Sequence, residues 1–289
     1  MNKDNLTRIY THLGSVHSDE LISIAIVLHV FYMDTTQFNL SDIQIFRSEI
    51  PDDLKVTDWV LDQGKVCLPL LRQIDHHQLE KENHCTFSLL LDSIGYHEKA
   101  ELYLDWYRNF ITLDCSGPTA LASKLRTGPD VIYSLQSPFD LAIKDWFKKS
   151  PNDPILKAFL RKMGEHIVDT IGKYVHKMAL LDKHVEIVDL EKHGLKALFY
   201  RTVEEDPSFG IRKWMQINKH NDAALSITYD ERNKGWSIYR FGDHPKINLI
   251  KIKKEKDVTY VPRNGFVAKV KKEATRERLI ELANKSLKR

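Results

Sequence analysis

At 289 residues, 42% hydrophobic and 29% charged, the chain has the composition of a globular protein with room for two compact units, which excludes a fibrous or disordered polypeptide. Three cysteines, Cys67, Cys85 and Cys115, without CxxC spacing argue against a disulfide framework and a zinc ribbon, and fit a reducing, cytoplasmic compartment. The net charge of +3 hides an asymmetry: residues 246–289 carry 14 Lys and Arg against 5 Asp and Glu, as for a protein with an anionic partner.

The first third alternates short β-like runs with helical ones. LTRIYTH, residues 6–12, reads as a strand, and DELISIAIVLHVF as a buried helix with Ser18 or Asp19 near its N-cap. The apolar run at 21–31 falls short of the roughly 20 residues that cross a bilayer, so no membrane partner is expected. Apolar segments at 43–46, 56–61 and 71–74 continue a rhythm of parallel strands with crossover connections. From about Thr86 to Leu181 helical spacing takes over, in TFSLLLDSI, AELYLDWY and the long segment after Pro154, while Gly117 and Pro118 precede the helix TALASKL. After Asp182 come VEIVDL, ALFYRTV, ALSITY and WSIYRF, the last two joined by DERNKG as a hairpin, and a closing helix over 274–287. The expected architecture is α/β: a parallel or mixed sheet flanked by helices over residues 1–185, and a smaller mixed α/β domain over 186–289.

Three polar constellations close the apolar runs of the first half. THLGSVHSDE sets His12 at a strand end and His17 and Asp19 on the turn into a helix, where imidazole and carboxylate suit a divalent ion; taken alone, Asp19 also reads as a helix cap. VTDWVLDQG ends a strand with Asp62 just before Gly64, a placement equally natural for a turn. IDHHQ closes another apolar run. In an extended stretch His76 and His77 point to opposite faces, one for a metal and one for substrate, and Asp75 is placed to orient an imidazole. His84 and Cys85 lack a second pair at zinc spacing, and Ser116 lacks nucleophile-elbow spacing.

These motifs resemble the DHH phosphoesterase superfamily, and in detail the melanocyte proliferating gene family of metal-dependent hydrolases. Its Thr-His, His-x-Asp-Glu, Asp before glycine and Asp-His-His-Gln have counterparts here in the same order. A later family aspartate corresponds to Asp182 in MALLDKH, and NGFVAKVKKEATRERLIELA resembles the family's Gly-Phe strand, basic turn and final helix. Where the family has Asn-Gly after the late aspartate and a glycine pair before the final helix, this chain has Lys183 and His184, and Ala268 and Lys269.

The resemblance implies a two-metal centre with Mn2+, or Mg2+ in its place: His12, His17 and Asp182 on one ion, Asp19 and His76 on the other, Asp62 bridging. It also implies Asp62, Asp75 and His77 as catalytic residues, His77 meeting the phosphate. Lys269, Lys271, Lys272 and Arg276 lie between a strand and the closing helix, an arrangement that could clamp an anion. The leading expectation is hydrolysis of nucleic acid or short oligonucleotides. The alternatives are a small-nucleotide, such as cyclic dinucleotide, phosphodiesterase or pyrophosphatase, and a nucleotide-binding module without turnover; oligomeric state is open, a homodimer included.

Overall fold

The computed structural model describes residues 6–32, 40–79, 84–135, 137–202 and 210–288. Chain contacts divide it into two compact units, Met1–Gly172 and Lys173–Arg289.

The first unit is built on five strands: β1 (Thr7–Thr11), β2 (Ile43–Arg47), β3 (Trp59–Leu61), β4 (Cys67–Leu68) and β5 (Gln73–Ile74), in the order β2-β1-β3-β5-β4. β2, β1, β3 and β5 run parallel, and β4 joins antiparallel at the edge. The strands are short because a turn or polar residue follows each apolar run, so the ends of β1, β3 and β5 come level. Helix α1 (Ser18–Val30) is apolar around nearly its whole circumference and is correspondingly buried, from Asp19 to His29. Its N-cap is His17, one residue before the expected cap.

The helical middle of the chain forms α2 (Thr86–Ser93), α3 (His97–Tyr103), α4 (Tyr107–Lys124), α5 (Pro129–Ser134) and α6 (Pro138–Lys149). α4 breaks at Gly117, whose φ of 79° is left-handed, and Pro118 restarts the helix. α7 (Pro154–His184) begins at the expected proline and contains the division between the units. Early in α7, Gly164 packs directly on α1: a Cβ there would stand 2.0 Å from the Ala25 carbonyl oxygen, so only glycine permits the crossing. Around this frame Ile9, Ile24, Val27, Leu28, Trp59, Phe87 and Tyr107 belong to one continuous core.

The second unit holds a mixed sheet of β6 (Val185–Asp189), β7 (Lys196–Tyr200), β8 (Ala223–Asp230), β9 (Gly235–Arg240), β10 (Val258–Tyr260) and β11 (Val267–Val270), ordered β10-β11-β9-β8-β7-β6. β7 and β8 are parallel; the other neighbours are antiparallel. The hairpin expected at DERNKG is the β8–β9 turn, with Asp230 opposite Gly235. α8 (Ile211–Ile217) and α9 (Arg276–Lys285) complete the unit, and Leu279, Leu282 and Ala283 of α9 belong to a core with Leu225, Ile238 and Val270. Val203, the last residue of ALFYRTV, lies outside the described residues. Among the described residues, no helix is long and apolar enough to cross a membrane.

Candidate metal centre

The C-terminal ends of β1, β3 and β5 deliver the polar constellations to one sheet edge, as expected of parallel α/β architecture. His12 follows β1. Asp62 follows β3 and takes a left-handed φ of 59°, a conformation Asp tolerates better than most residues and one that concentrates at functional sites. Asp75, His76 and His77 follow β5.

Asp62 is the hub. It is 2% exposed, and its two oxygens face opposite partners: Oδ2 is 3.3 Å from His12 Nε2, and Oδ1 is 3.4 Å from His76 Nε2. Thr86 Oγ1 donates to Oδ1 at 3.0 Å. The His17 ring stacks obliquely on His12 with centroids 5.2 Å apart, so His12, His17 and Asp62 present ligand atoms within 4.8 Å of one another. Asp62, Asp75, His76 and His77 form a second such group, and His76, Asp114 and Cys115 a third.

Asp114 was not singled out by sequence. It lies in α4 one turn before the Gly117 break, with Oδ2 3.7 Å from His76 Nε2. Its motif, Asp-Cys-Ser-Gly-Pro, reads as a helix start; an acid just ahead of a helix break is the signal that could have marked it. Glu20 was also passed over. It is fully buried, accepts from Thr11 Oγ1 and from the His17 amide, and lies 3.8 Å from His12 Nε2.

The remaining sequence-derived residues fall into distinct surroundings. Asp19 is buried and accepts from the amides of Thr86 (2.9 Å) and Phe87 (2.8 Å), so its carboxylate caps the start of α2; it also shares a grouping with Cys85 and Asp114. Asp75 accepts from the amides of Lys65, His76 and His77, and its Oδ1 lies 2.6 Å from His77 Nδ1. A carboxylate only accepts, so His77 Nδ1 carries the hydrogen and its half-exposed ring keeps Nε2 for a ligand. Asp182 belongs to the second unit, where Trp214 Nε1 donates to its Oδ1 at 2.6 Å.

Two of the basic residues near the C-terminus have carboxylate partners. Lys269 pairs with Asp230 and donates to Ser237 Oγ at 3.2 Å, and Arg276 pairs with Glu186 while lying over the Phe199 ring. Lys271 and Lys272 are exposed and form no ion pair among the described residues.

The electrostatics of the cluster are those of buried anions short of a counterion. Burial, then Asp114 and Asp62, push the Asp19 carboxyl well up, and burial likewise raises Asp114 and Glu20. Burial would raise Asp62 too, but His12 and His76 outweigh it and hold that carboxyl below the usual range. The Asp62 carboxylate lifts His12 to about 9; burial opposes ionisation of His76, yet Asp62 and Cys115 carry it to about 11.

Asp62 Oδ2 and His12 Nε2 are both buried and face each other at 3.3 Å without an aligned hydrogen bond. A ligand that accepts electron pairs from both, with His12 deprotonated, would satisfy them. The mixed imidazole and carboxylate donors suit Mn2+ or a neighbouring divalent ion, so the residues present fit a metal.

No protein-family model matches the chain, and no curated protein matches it. Among solved structures it is similar to a pGpG-specific phosphodiesterase, PggH, of Vibrio cholerae: 12% identity, 97% of this chain and 99% of that chain covered, TM-score 0.30. A likeness of that depth assigns neither family nor activity, which leaves the buried cluster itself to carry the functional reading.

Proposed function

We propose that the chain is a metal-dependent phosphoester hydrolase of the DHH type, acting on nucleic acid or short oligonucleotides, with the chemistry in the first unit. One observation carries the reading: Asp62, buried and left-handed, directs one oxygen to His12 and the other to His76, with ligating groups beyond both. His12, His17 and Asp62 would hold one divalent ion, and Asp62, His76 and Asp114 a second; Asp19 would contribute from the side of Asp114. Asp182, a ligand by the resemblance, is left out of this proposed set because its carboxylate is engaged by Trp214. Mn2+ is the proposed metal, with Mg2+ its alternative.

Divalent ions held by these residues would supply a lowered pKa for water and positive charge to offset that building on phosphorus. The protein's own residues set the rest. Asp75 fixes the His77 tautomer, so that Nε2, when protonated, can donate to a phosphate oxygen. Asp62 keeps the two imidazoles facing a common space, and the surrounding core restricts water.

A second reading, hydrolysis of a small nucleotide, is favoured by the pairing of Lys269 and Arg276 with carboxylates, which leaves fewer cations for a long phosphate backbone. A screen of Mn2+, Mg2+ and Zn2+ against labelled RNA, DNA, dinucleotides and pyrophosphate tests both. Metal-dependent cleavage of the polymers supports the first reading, cleavage confined to dinucleotides or pyrophosphate the second. Tight nucleotide binding without any product would leave a binding module.

A further inference from the structure

His76 and His77 are adjacent imidazoles with different supports. His77 Nδ1 rests on the Asp75 carboxylate at 2.6 Å. His76 Nδ1 instead lies 3.9 Å from Cys115 Sγ, and that thiol lies 3.3 Å from the carbonyl oxygen of His84, to which it donates. A thiol whose hydrogen is given to a carbonyl has only lone pairs left for a second partner, so His76 Nδ1 carries a hydrogen and points it at sulfur. Nε2 is thereby turned toward Asp62 Oδ1 at 3.4 Å and Asp114 Oδ2 at 3.7 Å. His76 belongs to two groupings of ligand atoms, one with Asp114 and Cys115 and one with Asp62, Asp75 and His77.

We propose that Cys115 is the positioning residue of His76: its thiol, bridging His76 Nδ1 and the His84 carbonyl, fixes the tautomer and ring plane that offer Nε2 to a divalent cation. The inference rests on the metal-centre reading above. Ligating histidines usually gain this support from a carboxylate or a backbone carbonyl. Here a carboxylate would add another negative charge to a cluster that already holds Asp19, Asp62 and Asp114. A thiol supplies the acceptor without the charge. The half-buried position of Cys115 in α4, immediately after Asp114, lets one helical turn supply both a ligand and the support for another ligand's ring.

The test is Mn2+ binding to the full chain, followed by calorimetry and by the loss of the free-ion spin-resonance signal. Cys115→Ala, and Cys115→Val, which fills the space without a lone pair, should each weaken Mn2+ binding by about 10–100-fold, the usual loss when a ligand's support is removed. Cys115→Ser, which keeps a donor and acceptor, should recover most of that affinity. The metal-free proteins should melt together, because the support matters only once Nε2 is used. Co2+ bound to the wild type should show ligand-field bands without a sulfur-to-cobalt charge-transfer band. Wild-type Mn2+ affinity in both the Ala and Val variants would overturn the positioning role while leaving the metal centre standing. A charge-transfer band lost in Cys115→Ser would overturn it in favour of direct ligation by sulfur, and a fall in metal-free melting temperature in all three variants would make the contact structural. A wild type that binds no divalent ion would remove this inference and the proposed function together.

Discussion

Buried acids meet opposite fates in the two units. In the first, Asp62 is enclosed between two imidazoles, its Oδ2 3.3 Å from His12 Nε2 without an aligned hydrogen bond, and Asp19 and Asp114 belong to neighbouring groupings of ligand atoms. In the second, the equally enclosed Asp230 is met by Lys269, by Asn233 Nδ2 at 2.7 Å and by the Arg232 amide at 3.1 Å. Leaving a buried charge short of partners costs several kcal/mol, so the contrast between the fully paired Asp230 and the loosely met Asp62 supports the ligand role proposed for Asp62. The contrast separates ion pairs that hold a fold from polar atoms arranged to take a ligand.

Asp62 is where the comparison should break most completely. Asp62→Asn keeps the shape but removes the charge shared by His12 and His76, and should lower Mn2+-supported turnover by at least about 10³-fold, roughly 4 kcal/mol of transition-state stabilisation, with circular dichroism unchanged. Retained turnover under saturating Mn2+ would deny the bridging role.

Next in size is the contrast between Asp114 and Asp182. Asp114→Asn should weaken Mn2+ binding by at least about 100-fold, because it removes a direct donor beside His76. Asp182→Ala should leave binding unchanged and lower stability by about 1–2 kcal/mol through the lost Trp214 hydrogen bond. Parallel calorimetric and melting measurements on both variants decide which acid belongs to the centre.

These two acids also show how far the sequence was legible. His12, Asp62, Asp75, His76 and His77 could be found because each follows an apolar run, and parallel strands bring their ends together whatever the intervening chain does. Asp114 follows no strand: its one mark is a place just ahead of the Gly117 break, and the packing of α4 brings it to His76. Asp182 entered through the family resemblance alone, and a motif position does not say what its carboxylate meets in this chain. Of the fold, α1, α7 and the β8–β9 hairpin were readable from periodicity, capping proline and turn chemistry. Short β4, β10 and α8 were not, since two or three strand residues or seven helical ones carry too little pattern. The basic cluster was visible as charge, but charge alone does not reveal that Asp230 and Glu186 already engage two of its members.

The Asp230 pair yields a smaller effect with a defined pH course. Burial would raise its carboxyl, but Lys269 and Asn233 outweigh burial and hold it at about 2, below the roughly 3.9 of an unfolded Asp. Its contribution is therefore fully present above about pH 4 and is lost as pH falls through the folded value near 2. Asp230→Asn should cost about 2 kcal/mol at pH 6, as for one charge-assisted hydrogen bond partly screened by solvent. Denaturant curves at descending pH should show that gap closing between about pH 4 and 2; a gap constant with pH would mean the charge does not matter. The smallest expected effect belongs to Lys271 and Lys272: the double alanine variant should raise KM modestly and reduce the salt slope of substrate binding by about 1–2, with metal affinity intact.

Anomalous scattering from a crystal grown with Mn2+ tests the central claim most directly. The account predicts Mn2+ density in contact with the Asp62 carboxylate, flanked by His12 and His76 and reached by Asp114, with the Trp214–Asp182 hydrogen bond preserved. Mn2+ bound elsewhere, with Asp62 still facing only the two imidazoles, would contradict it.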